Sequence, residues 1–224
     1  MDIIAHIEND FTEKFGIPRQ SGIIPQFESR IVFEPHFRKP EALRGLEDFS
    51  HIWIIWDFSK CHSSNKNTWK STVRPPLLGG NKRVGVFATR SPFRPNNIGL
   101  SCVKIKGIDL NTPNGPIITV LGADLMNGTP IYDIKPYLPY TDCITDAIGG
   151  FTDKIKTEKS YNVVIPEKLK DKLNEAQINN LTSILQNDPR PRYQHDEGRI
   201  YGFIFAGLNL HFNVCKNTIT VIGD

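Results

Sequence analysis

Arg90, Pro92, Phe93, Arg94 and Pro95 fall together in RSPFRP, the stretch of this 224-residue chain best equipped for chemistry. Arginine presents a planar fork of donors that grips a carboxylate or a phosphate through two bonds. Phe93, between the two arginines, offers a ring face to a base. The two prolines fix φ and Gly99 permits close approach of backbone to a ligand, so a rigid loop is expected. The whole run 79–101, GGNKRVGVFATRSPFRPNNIGLS, is therefore the expected functional centre. The alternative is an ordinary rigid connection whose arginines face water. Neither G-x-G-x-x-G nor the P-loop pattern occurs.

A second candidate is ADLMNGTPIYDIKPYLPYTD, where Asn127 and Gly128 make a turn and Asp133, Lys135, Tyr137 and Tyr140 supply polar groups. In one reading these line a pocket mouth. In the other, Asp133 and Lys135 are a surface ion pair worth under about 1 kcal/mol. A third candidate is FGIPRQSG, in which Arg19 and Gln20 follow Pro18 in a tight turn. None of the six histidines forms an H-E-x-x-H pattern. His51, inside HIWIIW, reads as structural, whereas His195 lies beside Arg190, Arg192, Tyr193 and Asp196. That basic-aromatic loop suits a nucleic acid or is simply solvated.

Charge is unevenly distributed behind a net value of +3. Between Asp57 and Asp109 there is no acidic residue, while Lys60, Lys66, Lys70, Arg74, Lys82, Arg83, Arg90, Arg94, Lys104 and Lys106 fall there. A solvated run is one reading; a face for an anionic partner, RNA or a nucleotide, is the sharper one. Cys61, Cys102, Cys143 and Cys215 are far apart with no C-x-x-C, which suggests neither disulfides nor zinc and fits reduced thiols in the cytosol. No basic leader and no long apolar run is present, so neither a signal peptide nor a membrane span is expected.

The elements that must position these groups are mostly strands. Short Ile/Val/Phe/Trp-rich runs at 3–7, 30–33, 52–58, 84–88, 100–108 and 117–121, bounded by turn residues, predict a barrel or sandwich. NTPNG at 111–115 should close a hairpin, and PEALRGL should form a short helix. Near Gly149 and Gly150 the pattern stops. From Pro166, Leu169, Leu173, Ala176, Leu181, Ile184 and Leu185 recur at roughly helical spacing, which predicts one helix over PEKLKDKLNEAQINNLTSILQ. Three short β-like runs follow, enough for a sheet backing that helix. The expected division is a β-barrel domain over 1–150 and a smaller α+β domain over 151–224.

Taken together, EKFGIPRQSG, PEALRGLEDFSHIWIIWDF, TVRPPLLGGNKRVGVFATRSPFRPNNIGLSCVKI, GADLMNGTPIYDIKPYLPY and QNDPRPRYQHDEGRIYGF resemble the TsaA-like (TrmO) family, in order and over most of the chain. The resemblance implies a mainly β protein whose TsaA-like barrel binds S-adenosyl-L-methionine, usually as a homodimer. It further implies methylation of the exocyclic N6 of the threonylcarbamoyl-adenosine at position 37 of tRNA, next to the anticodon, in the cytoplasm. Carried onto matching positions, the cofactor contacts are Pro18, Arg19, Gln20, Arg90, Leu100, Asp124, Leu125, Met126, Asn127 and Gly128. Ser59 and Lys60, the remaining cofactor contacts that the resemblance implies, stand where the family often has His followed by Gln or Glu, and Asn97 stands where it usually has proline. Loss of that ring should loosen the loop slightly.

The chemistry is consistent with the residues. Methyl transfer needs nitrogen, carbon and sulfur nearly in line at about 3–3.5 Å, so positioning can lower the barrier without a covalent intermediate. Lys82, Arg83, Arg94, Arg190, Arg192 and Tyr193 are the expected contacts to an anticodon stem-loop, whose target base must be splayed out. Asp133, Tyr137 and His195 are the candidates for accepting the proton of the attacking nitrogen, and the sequence does not rank them. Two rivals remain: a non-catalytic RNA-binding module, and an enzyme of this fold acting on another nucleotide or small molecule.

Overall fold

The computed structural model describes residues 1–61, 69–153, 160–190, 196 and 198–223. His62, Lys66, Arg192, Tyr193 and His195 lie outside the described residues.

Strand β1 (Ala5–Glu8), β2 (Glu28–Phe33) and β3 (His51–Asp57) follow from the β-branched runs at those places. Two short strands, β4 (Thr72–Val73) and β5 (Val84–Gly85), pair with each other. The long β6 (Ile98–Thr112) turns back through a tight hairpin into β7 (Gly115–Leu121), and β8 (Pro130–Pro136) completes the set. Strands β1, β2, β7, β6, β3 and β8 close in that order into a barrel with antiparallel neighbours. Closure removes the free edges that an open sheet would present.

The alternation of side chains fills the barrel. Ile52, Ile54 and Trp56 of β3 point inward with Ile7, Ile31, Ile118, Val120 and Ile131, and all are buried. The intervening Trp53 and Ile55 are only half-buried. PEALRGL does not form a helix: it folds as two single 3-10 turns, Pro40–Leu43 and Leu46–Asp48. Gly45 between them adopts φ 84°, a left-handed conformation that ends one turn before the next can start.

The second unit is a sheet in the order β10 (Tyr201–Phe205), β11 (Leu208–Cys215), β12 (Thr218–Gly223) and β9 (Asn162–Val164), with β9 parallel to β12. The single helix expected from Pro166 is interrupted. A turn of helix at Glu167–Lys170 ends, and a new helix, Glu175–Gln186, starts at an Asn174–Gln177 capping box. Asn174 accepts from the Gln177 backbone N–H (2.9 Å) while the Gln177 side chain accepts from the Asn174 backbone N–H (3.1 Å). The inward set shifts accordingly: Asn180 is buried and Ala176 is exposed.

The two cores interlock. Phe11, Ile24 and Phe27, from the segment between β1 and β2, are buried with Leu181, Phe203, Phe205 and Phe212 of the second unit. Phe11 lies 4.3 Å from Phe27 and 6.2 Å from Phe205, ring centre to ring centre. Gly16 (φ 90°) passes so close to Phe203 that an added Cβ would sit 2.9 Å from its ring.

Candidate functional site

A cavity of about 630 Å³ opens where β3 ends and β6 begins. Trp56 and Asp57 close β3 on one wall, continued by the turn 58–61. Ile98, Gly99 and Leu100 of β6 form the facing wall, and Asp124, Met126 and Thr129 of the β7–β8 connection a third. Segments 17–20 and 89–94 complete the enclosure, bringing Pro18, Arg19, Gln20, Arg90 and Arg94 to it.

Polar groups at this cavity are tied in two systems. On the buried side the Trp56 indole N–H donates to Ser101 Oγ (3.0 Å), which donates to Asp124 Oδ1 (2.5 Å). Gly99 is what makes this possible, since the Trp56 indole occupies the space a Cβ there would need, 2.2 Å from Trp56 Cε2. The glycine therefore admits a tryptophan ring and not only, as the sequence suggests, a ligand. Asp57 is 8% exposed and hydrogen-bonds to Tyr132; burial, then the Asp57 charge, push the Tyr132 phenol above its ordinary range. On the other side the Arg90 guanidinium donates to the Gln20 side-chain carbonyl, Arg19 donates to the Arg190 carbonyl (2.7 Å), and Lys14 Nζ donates to the Lys60 carbonyl (3.0 Å). The cavity thus has an anionic interior, Asp57 and Asp124, facing a cationic rim.

Burial raises the Asp124 pKa, against the opposing pull of Ser101, of backbone N–H groups at Asp124 and Ser21, and of Arg90. A raised folded pKa contributes stability fully present below the unfolded value, near 3.8, and lost as pH rises through the folded value. Once ionised, the carboxylate is therefore a net cost to folding. We expect Asp124→Asn to raise the Tm at pH 7, with the gain shrinking as pH is lowered toward 3.8. Thermal unfolding across pH tests this; a lower Tm at every pH would mean that the hydrogen bonds to the carboxylate outweigh its burial.

The other residues singled out in the sequence fall in distinct places. Ser59 and Lys60 line the cavity. Leu125 does not: it is fully buried in the barrel core, because alternation along the chain turns Asp124 and Met126 one way and Leu125 the other. Asn127 lines a separate crevice of about 610 Å³ beside Glu8 and Asn180, and its side-chain oxygen accepts from Asn9 N–H (3.0 Å). Gly128 supplies the left-handed turn (φ 74°), its N–H donating to the Ile7 carbonyl (2.8 Å). Asp133 and Tyr137 line neither: Asp133 pairs with Lys135 (2.9 Å), and the Tyr137 ring packs against Trp53 and His51.

Among the expected RNA contacts, Lys82 and Arg83 are exposed near β5, Arg83 donating to Thr72 Oγ1 (3.0 Å). Arg94 turns inward, donating to the carbonyls of Val86 (3.1 Å) and Thr89 (2.7 Å). Arg190 is 5% exposed, forked onto Asp188 (2.8 and 3.0 Å) and within reach of the Tyr161 hydroxyl (3.3 Å), so it is an interior anchor. Asn97 does not leave the loop loosened: its carboxamide donates to the Pro92 carbonyl (2.5 Å), replacing the constraint of a ring with a cross-link.

Trp56 and Asp57 are among the cavity residues not singled out in the sequence, hidden at the end of an apolar strand. The signal was there: an acid ends HIWIIWD on a strand otherwise ready for burial.

The TrmO N-terminal domain family, described as tRNA-methyltransferase O N-terminal domain, matches residues 6–143, and the TrmO C-terminal domain family matches residues 158–223. Escherichia coli (strain K12) tRNA (adenine(37)-N6)-methyltransferase is 37% identical over 219 residues, covering 94% of this chain and 91% of its own. A Pseudomonas aeruginosa (strain PAO1) protein with the provisional name S-adenosylmethionine-dependent methyltransferase RcsF is 38% identical over 216 residues, covering 94% and 90%. The crystal structure of TrmO from Pseudomonas aeruginosa superposes with a TM-score of 0.75 at 31% identity, covering 98% of this chain and 95% of that one.

Proposed function

We propose the function of this chain from one premise: it belongs to the tRNA-methyltransferase O family, whose two domains it carries in order. It is an S-adenosylmethionine-dependent tRNA (adenine(37)-N6)-methyltransferase. The finer reading is that the accepted adenosine already carries a threonylcarbamoyl group on N6, and that the anticodon stem-loop is the part of tRNA engaged. In this reading residues 1–150 hold the cofactor, residues 151–224 form the supporting domain, and the enzyme works as a cytoplasmic homodimer. Ile144 and Ile148, 67% and 90% exposed after β8, support the dimer, since a second copy would cover them.

The observation that carries the reading is the polarity of the cavity. S-adenosylmethionine supplies an electrophilic methyl group on a sulfonium, and bears an amino acid end with one ammonium and one carboxylate. Its volume suits a cavity within the range of about 300–1,000 Å³ that small-molecule sites occupy. Asp57 and Asp124 would face its cationic groups, while Arg90, with Gln20 aligning it, would take the carboxylate. The apolar faces of Trp56, Leu100 and Met126 would exclude water from the reacting atoms. Asp133 and Tyr137 stand outside the cavity, and of its described lining residues the carboxylates Asp57 and Asp124 are the ones we assign to proton acceptance.

The test is incubation of the purified protein with cofactor and tRNA, with and without the threonylcarbamoyl group, followed by nucleoside mass spectrometry. The expected result is a gain of one methyl on the modified adenosine and none on the unmodified one. Methylation of the unmodified base, or of neither, would refute the finer reading.

A further inference from the structure

We propose that Trp69, Phe87 and Phe93 form a stacking platform for unpaired bases of the RNA, beside the cavity and distinct from it. The proposal rests on the tRNA reading above and adds the surface by which the loop would be held. These three rings are 45%, 70% and 47% exposed, an unusual concentration of bare aromatic surface on one small patch. Trp69 stacks on Phe87, ring centres 5.9 Å apart and 28° between planes. The Lys70 ammonium lies over the Phe93 ring (5.0 Å) and the Arg94 guanidinium over Phe87 (5.5 Å).

The patch is built on a braced frame. β4 pairs with β5, Val86 N–H donates to the Ser71 carbonyl (2.9 Å), and Lys70 N–H donates to the Phe93 carbonyl (3.4 Å). Arg94 clamps the Val86 and Thr89 carbonyls from within. Rings carried on such a frame are preset for their partner, which lowers the ordering cost of binding.

Charge decides what that partner is. The interval between Asp57 and Asp109, which contains all three rings, has no acidic residue, and Lys82 and Arg83 lie exposed beside β5. Aromatic faces interleaved with cations are what single-stranded nucleic acid needs: rings for bases, cations for phosphates. The position fits the reaction as well. Thr89, Arg90, Pro92 and Arg94 of the same loop line the cavity, so a base drawn into it leaves neighbours unstacked a few residues from the platform.

The experiment measures binding of an anticodon stem-loop oligoribonucleotide by fluorescence anisotropy and steady-state methylation of modified tRNA at saturating cofactor. Trp69→Ala and Phe87→Ala should each raise the stem-loop Kd and the KM for tRNA by roughly 10-fold, with kcat, cofactor affinity and Tm unchanged. Trp69→Phe should recover most of the loss. The salt dependence of binding should stay the same in Trp69→Ala and weaken in Lys82→Ala, which removes a phosphate contact. Unchanged Kd and KM in both alanine variants would overturn the platform, as would a change in sedimentation with RNA affinity intact, which would make the patch an interface between copies. If the wild type binds the stem-loop, loses affinity in Trp69→Ala, yet methylates no tRNA, the platform stands and the catalytic reading falls.

Discussion

Gly99→Ala should cost about 3 kcal/mol or more of stability, at the upper end of what overpacking a core usually costs, and should abolish cofactor binding with it. A Cβ at this position would lie 2.2 Å from Trp56 Cε2 and 2.5 Å from two further indole carbons, all of them parts of a rigid ring. The ring cannot yield by a rotation of its far end, and Gly99 and Trp56 are direct neighbours in the β3–β6 ladder. Moving the indole breaks its bond to Ser101, and through Ser101 releases the carboxylate of Asp124. Thermal unfolding should register a drop of roughly 6–12 °C for a chain of this size, and titration calorimetry with S-adenosylmethionine should show no heat. Pairing the substitution with Trp56→Leu should restore part of the Tm but none of the binding. A wild-type Tm in Gly99→Ala would mean that β3 and β6 separate more freely than their ladder suggests.

Arg90→Ala should weaken cofactor affinity by about 1.5–3 kcal/mol, the value of a charge-assisted hydrogen bond, and leave Tm close to wild type. The contrast follows from location. Arg90 is exposed at the cavity rim and its bond is to Gln20, another rim residue, so folding depends on it little. Binding depends on it because its guanidinium lies at the cavity rim, where the carboxylate of the cofactor would meet it. Calorimetric titration checks the affinity, and a Kd equal to that of wild type would place the carboxylate of the cofactor elsewhere.

The strands of the barrel were legible wherever β-branched residues ran unbroken between turns, as at Ile117, Ile118 and Val120. β8 was not. Its bounds are Pro130 and Pro136, residues that read as loop, and what makes it a strand is its place between β3 and β1. Likewise β9 joins β12 in parallel from more than fifty residues away, a pairing that local pattern cannot carry. The break in the long helix, by contrast, was written in the sequence as Asn174 followed three residues later by Gln177. Periodicity alone ran through it. At the site, rigidity and the two arginines could be read from spacing, but the direction of each side chain could not. Asp133 and Leu125 turn away from the cavity because of register, which the fold sets and the composition leaves open.

The interlocked cores make the second domain a structural part of the first domain's cavity. Segment 17–20 leaves the buried cluster of Phe11, Phe15 and Phe203 to form the cavity wall, and Arg19 is moored to the backbone of Arg190. A cut after residue 150 would therefore not yield a smaller enzyme; it would strip the covering from Phe11, Ile24 and Phe27 and free the wall that carries Gln20. The two halves are linked equilibria, so ligand that tightens the cavity must also disfavour the opening of the sheet behind it. Evolution can vary the carboxyl-terminal sheet only as far as that wall keeps its place.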